Sequence, residues 1–429
     1  MPELNRPEIP KEIANAAILP SSYLDEVDVH KAFTWIRNNE PLGIAQADGY
    51  DPLWFVSKLK DIRFIESKPA IFSSAQHNPI LSDQANEEML REATQGTYRS
   101  LQTLTFMDPP EHTGVRGISA GWFTPQKMKD LEESIRADAR LSVDHLLSFD
   151  GECDFVKDFA LHYPLRVVMT LLGVPREDEP FMLKLTQEFF GGNDPSEQRE
   201  ELLNDPLAAA KQWQAAVNDF YGYFNQLSAD RRKSPKNDLL SQIANYQVDG
   251  EYLSDDLANG YYVAIATAGH DTTSSSVGGG MHALIENNEQ FLLAQQSSAD
   301  TSGLVAESVR WTSPVKHFMR VATQDTELNG VNILKGDRFF LSYPSANRDE
   351  DIFVDPFKFD ASRKPNPHLG FGFGPHICLG QHLARFEMQI LFQELLPTLK
   401  SIELSAPIER VKTNFVGGIK SMPVRFVKA

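Results

Sequence analysis

Apolar residues return every three or four positions through most of the middle of this 429-residue chain. In PQKMKDLEESIRADARLSVDHLLSF, Leu131, Ile135, Leu141 and Leu146 fall close to one helical face. Thr124 stands before that stretch as an N-cap, and Pro125 sits in the first turn, where its missing N–H costs nothing. The same period predicts helices over 159–173, 207–227 and 235–246, and a long one from about Ser254 to Glu289. Another opens at Thr301, and one more runs from Cys378 to about Leu399. Strand signals are short and sit mostly near the ends. TELNGVNILKGDRFFLSY, with its Asn-Gly and Lys-Gly turns, predicts a hairpin, and NFVGGIKSMPVRFV predicts a second. Residues 344–370, rich in Pro, Asp, Asn and Arg, show no period and read as a long loop of the kind that is functional or tied down by specific contacts. The expected fold class is mainly α with small β-sheets (α+β), without repeats or an obvious linker.

Composition narrows the function. A 41% hydrophobic content supports a large core. A net charge of −18 argues against a nucleic-acid partner and against an anionic membrane surface, since both need basic patches. Cys153 and Cys378 are the only cysteines and lie far apart, so a disulfide framework is not expected and a reducing compartment fits. The N-terminus MPELNRPEIPKEIANAAILP has no leader pattern, and no segment reaches roughly 18 consecutive apolar residues. The expectation is a soluble, cytoplasmic protein.

GFGFGPHICLGQ, starting at Gly370, builds a constrained loop around one thiol just before a helix. Unpaired N–H groups and the helix dipole there favour thiolate over thiol. Gly372 and Gly374 permit positive φ or a tight fit against a flat object, and Gly380 allows backbone close to sulfur. A lone Cys is most often a small buried hydrophobe. A nucleophile or a metal thiolate are the other readings. Zinc would want further ligands beside His376 and His382. Haem iron needs one thiolate, and glycines that admit a flat macrocycle suit it best.

Phe371-Gly372-x-Gly374-x-His376-x-Cys378-x-Gly380 resembles, position by position, the haem-binding signature of the cytochrome P450 family. The resemblance implies a cytochrome P450 fold over 1–429 as a single domain, with a long central oxygen-binding helix over haem b and Cys378 as the axial thiolate. Other segments are similar to the family in the right order. Ala268-Gly269-x-Asp271-Thr272-Thr273 matches its oxygen-activation motif, with Ala264, Ala268 and Thr272 on one face, and implies that Thr272 and Asp271 deliver protons to oxygen. Glu307-Ser308-Val309-Arg310 matches the E-x-x-R pair that braces the Cys loop. Lys358 stands where many members place Arg, and Lys lacks the planar fork for a bidentate contact, so the third partner of that brace is left open. His112, Arg116, Arg320 and His376 align with partners of the haem propionates. By position, Ala264, Thr267, Val315, Phe415 and Val416 are candidates to line the substrate pocket, with 75–105 and 175–215 as its lid.

The resemblance is to the soluble bacterial members. It implies a monomeric monooxygenase that inserts one atom of O2 into a small apolar substrate, a terpenoid, alkane or aromatic hydrocarbon. The chain has no flavin motif and no ferredoxin cysteines, so electrons are expected from a separate [2Fe–2S] ferredoxin and its reductase, docking on a local basic patch that includes Arg116, Lys127 and Arg385. A haem-thiolate gas or redox sensor is the competing reading. It would not need the Asp271–Thr272 pair.

Overall fold

The computed structural model describes residues 6–195, 197–202, 205 and 207–429. Helices make up the bulk. The Pro125–Ser148 helix packs along Gln381–Leu395, and Asp271–Glu286 packs along Ser302–Thr312. The second pair comes close because two successive glycines, Gly279 and Gly280, face the crossing. A Cβ on Gly280 would lie 2.2 Å from the Ser308 hydroxyl, and one on Gly279 would lie 2.3 Å from that of Thr312. The Thr124 hydroxyl accepts from the Lys127 N–H at 3.3 Å, the expected cap.

The largest sheet has five strands in the order Leu42–Ala45, Leu53–Val56, Arg338–Ser342, His317–Ala322, Phe72–Ser73. Arg338–Ser342 runs parallel to Leu53–Val56, and the other neighbours are antiparallel. This sheet brings residues near position 60, near 320 and near 340 side by side, a pairing that no local pattern encodes. The hairpin Thr326–Leu328/Val331–Ile333 forms as expected, with Asn329 and Gly330 at φ 52° and 78°, the two left-handed positions of a tight hairpin turn.

Two expectations are corrected. The C-terminal segment is not a hairpin: Ile419–Ser421 pairs with Glu409–Arg410, while Pro423–Lys428 pairs with Leu399–Leu404 and Glu152–Asp154. Its strands find their partners through tertiary packing instead of a local turn. The long helix over 254–289 is two helices, Asp255–Ala268 and Asp271–Glu286, interrupted at Gly269-His270. The predicted helix over 235–246 shortens to Leu239–Ala244. Residues 344–370 form one helical turn, Tyr343–Ala346, and then an irregular loop.

Candidate active site

The interruption at Gly269 follows from side-chain chemistry. Hydroxyls of Thr267, Thr272, Ser274 and Ser276 donate to the carbonyls four residues earlier, at 2.8, 2.8, 3.1 and 2.9 Å. Such back-bonds compete with the backbone ladder and bend helices. Gly269 is needed there, since a Cβ would lie 2.6 Å from Val168 Cγ2 on the neighbouring helix. The open turn faces a central cavity that Ala264, Ala268, Gly269, Thr272 and Thr273 line from one side of the chain and Phe371, Gly372, His376, Cys378 and Gly380 from the other. The oxygen-motif helix and the thiol loop thus share one space.

Asp271 does not line that cavity. Its carboxyl sits beside it with one oxygen buried and unpartnered, 3.6 Å from His270 Nδ1. Burial, and then the charge of Glu197, push its pKa well above the carboxylate range. Burial therefore favours the protonated form of Asp271. Burial holds His270 down to about 4, so its ring is neutral. A second acid, Glu387 on the helix after the thiol loop, lines the cavity, and its pKa is also pushed well above the ordinary range by burial against a hydrogen bond from Thr273.

In the thiol loop, Gly372 and Gly374 adopt φ 67° and 66°, left-handed values that favour glycine. A Cβ on Gly374 would lie 2.3 Å from the Glu66 carbonyl, so the loop is pressed against the end of the Leu59–Glu66 helix. The Cys378 N–H donates to the Phe371 carbonyl at 2.8 Å. The expected donors to the sulfur are present, and burial acts against them. Burial raises the pKa of the thiol, and the N–H groups of Gly380 and Gln381 with Arg116 and Arg385 offset only part of that. A cation bound to the sulfur would favour the thiolate further. Cys153 lies in the Glu152–Asp154 strand opposite Val424, and burial pushes its thiol up to about 12.

The four expected anion partners converge on this cavity: His112, Arg116, Arg320 and His376 all line it. The rings of His112 and His376 lie 4.2 Å apart, and both His112 nitrogens are buried without partners. Burial and then the neighbouring cations, Arg320 first, hold His376 down to about 2, and burial followed by Arg116 lowers His112. The two histidines are neutral donors, so Arg116 and Arg320 supply the charge.

Glu307 and Arg310 form a bidentate pair, both contacts 2.7 Å and both side chains 0% exposed. The place expected of residue 358 is taken by Arg363, whose Nε reaches both Glu307 oxygens at 3.2 Å. Asn366 adds a contact at 3.0 Å. Lys358 contributes only its backbone carbonyl, to Arg310 and Arg363.

Of the proposed pocket residues, Ala264 and Val315 line the cavity. Thr267 is buried with its hydroxyl bound to Val263. Phe415 packs on Phe190, His317 and Phe318 behind the wall, and Val416 forms a bridge to Val315. Of the two lid segments, the first contributes Thr103, Leu104 and Thr105. The described residues of 175–215 contribute no lining side chain; residues 196, 203, 204 and 206 lie outside the described residues. Sequence reading missed Glu66, Thr103, Thr105, Tyr343 and Glu387. A signal existed for Glu387, which shares the apolar face of Leu383 and Leu391. Thr103, Thr105 and Tyr343 gave none.

The family model for cytochrome P450 matches residues 301–419. Cytochrome P450-terp of a Pseudomonas species is 53% identical over 425 residues, 99% of each chain. A steroid C26-monooxygenase of Mycolicibacterium smegmatis is 32% identical across 97% of this chain and 92% of its own. The crystal structure of CYP108D1 from Novosphingobium aromaticivorans superposes with a TM-score of 0.90 at 39% identity, covering 99% and 100% of the two chains. That of Mycobacterium marinum CYP268A2 in complex with pseudoionone has a TM-score of 0.83 at 31% identity, covering 94% and 95%. The chain belongs to the cytochrome P450 family and has its fold, and it is a monooxygenase of the haem-thiolate kind.

The residues present fit such a cofactor. One thiol faces the cavity, two buried His112 nitrogens lack partners, and two arginines converge there. Nothing beyond the thiol of Cys378 itself would meet a Cβ on Gly380, at 3.9 Å, so that face of the loop is open.

Proposed function

We propose that this chain hydroxylates small, largely apolar terpenoids, with Cys378 as the iron ligand and Thr272 with Asp271 as its proton-delivery pair. The observation that carries the reading is the meeting of Cys378 and Thr272 on one cavity whose wall is otherwise mostly apolar. When bound, haem supplies activation of O2 and the transfer of one oxygen atom to substrate. Arg116 and Arg320, with the neutral rings of His112 and His376, would hold its carboxylates. Leu104, Val309, Val315 and Phe318 exclude water and shape the substrate space. Among the polar groups of the wall, the Thr103–Thr105 hydroxyl pair, 2.7 Å apart, suits a substrate carrying one oxygen among many carbons.

Thr272 orients its hydroxyl through the Ala268 carbonyl and offers its lone pairs to the cavity. Asp271 holds the proton one residue away, and the opened turn at Gly269 leaves backbone groups for water to join the two. Similarity to cytochrome P450-terp supports the terpenoid class. Electrons come from a separate ferredoxin and its reductase, since the chain carries neither flavin nor iron–sulfur motif. Among the described residues no helix is long and apolar enough to cross a membrane.

The test is spectroscopic and then chemical. The reduced, carbon-monoxide-bound protein is expected to show the band of a thiolate-ligated haem. Cys378→Ala loses the haem or the band, and Cys153→Ala changes neither. Monoterpenes should shift the haem absorption and give hydroxylated products with NADH and a ferredoxin system. A histidine-type spectrum in undamaged protein would refute the ligand assignment. A shift with steroids but not with monoterpenes would refute the substrate class.

A further inference from the structure

Glu66 ends the Leu59–Glu66 helix, is 3% exposed, and lines the cavity beside the anion-binding residues. One carboxyl oxygen, Oε1, accepts from the Tyr343 hydroxyl at 2.8 Å and from Arg320 at 3.4 Å. The other, Oε2, is buried with no partner. A carboxylate here is odd. It would occupy Arg320, one of the two charged donors in a cradle meant for two carboxylates, and leave a net charge deficit in a dry site. A carboxylic acid removes the conflict, because Oε1 keeps its donors and Oε2 becomes a donor itself.

We infer, resting on the haem reading above, that Glu66 serves the cofactor as a neutral carboxylic acid whose Oε2–H donates a hydrogen bond to a haem carboxylate, so that ionising Glu66 loosens the cofactor. The groups facing Glu66 come from every element around it. Arg320 projects from the His317–Ala322 strand, and Tyr343 from the turn that follows the Arg338–Ser342 strand. The Phe373 N–H and His376 belong to the thiol loop, and His112 and Arg116 to the Glu111–Ser119 helix. The histidines are held neutral, so the positive charge that opposes the acid form comes from the arginines. Burial outweighs Arg320, Tyr343 and Phe373 and pushes Glu66 up to about 7. A second carboxylate bound beside it favours the acid further.

The experiment measures haem transfer from the holoenzyme to an excess of a haem-scavenging apoprotein, from pH 6 to 9, for the parent and Glu66→Gln. The carbon-monoxide band is recorded first, so that failure of the thiolate reading is seen separately and removes both claims. With the band intact, parental haem release should accelerate with rising pH, by up to about tenfold per pH unit until Glu66 of the holoenzyme has ionised, and then level off. Glu66→Gln keeps a neutral donor and should release haem slowly and evenly across the range. Tyr343→Phe removes a bond that favours the carboxylate and should move the parental break to higher pH. In the infrared, the parent should show a carboxylic-acid carbonyl band that Glu66→Gln lacks. Parallel pH profiles in parent and Glu66→Gln, a flat parental profile, or identical infrared spectra would each overturn the inference.

Discussion

In the proposed proton delivery, Thr272 and Asp271 would divide a task that neither could perform alone. Thr272 faces the cavity but has a hydroxyl proton of ordinary alcohol character, engaged with Ala268. Asp271 is an acid whose protonated form burial favours, but it stands behind the helix wall. Replacing Thr272 by Ala should leave substrate binding and electron consumption intact and divert reducing equivalents to hydrogen peroxide. The product-to-NADH ratio measures this, and a ratio equal to the parent's would return the hydroxyl to a purely helix-capping role. Asp271→Asn keeps shape and removes the transferable proton. Turnover should fall on the order of 10²-fold, the lower range for positioned proton transfer. The fall should be larger in kcat than in substrate affinity.

The helices and loops that hold the site depend on one buried knot. Glu307 and Arg310 are one helical turn apart, and their pairing on an exposed helix would contribute a few tenths of a kcal/mol. In the fold they are fully buried, and Arg310 also donates to the carbonyls of Asn347 and Pro356, both 2.9 Å away. This ties the Ser302–Thr312 helix to the irregular stretch that leads into the thiol loop. Removing one partner strands the other charge, so Glu307→Ala and Arg310→Ala should each cost about 3–5 kcal/mol. Arg363→Ala should destabilise as well, because Arg363 completes the neutralisation of Glu307. Lys358→Ala should be nearly silent, since only its backbone takes part. Urea unfolding midpoints and haem content rank the four. Equal effects of Lys358→Ala and Arg363→Ala would contradict the assignment of Arg363.

The cavity is walled by segments from across the chain, from Glu66 to Met388. A ligand that fills it binds the native state and not the unfolded chain. Its stabilisation therefore grows with excess ligand, by about 1.4 kcal/mol per tenfold of free concentration over its dissociation constant. Haem-free protein should melt well below the holoenzyme, and titrating haem back should raise the melting temperature progressively. Hydrogen exchange should show the loss of protection concentrated in 255–286 and 370–395. An identical melting temperature with and without haem would mean that the cavity is held open by the protein alone.

Most of the helices were legible because an amphipathic period survives wherever one face packs on a core. The motifs around Cys378, Asp271–Thr272 and Glu307–Arg310 were legible because their residue types are costly anywhere else: a glycine-crowded thiol, hydroxyls in mid-helix, a charged pair amid apolar neighbours. The break at Gly269 was half legible. The weak residues were visible, but whether a helix bends or yields depends on what presses on it, here Val168 at a glycine. Arg363 taking the place expected of residue 358 was not legible, because a loop without period leaves side-chain direction to its contacts. The upward pKa shifts of Asp271, Glu66 and Glu387, and the downward shifts of His112 and His376, lay wholly outside the sequence. A carboxyl or imidazole carries the same letter in water and in a dry wall, and its charge is set by the burial and neighbours that folding supplies.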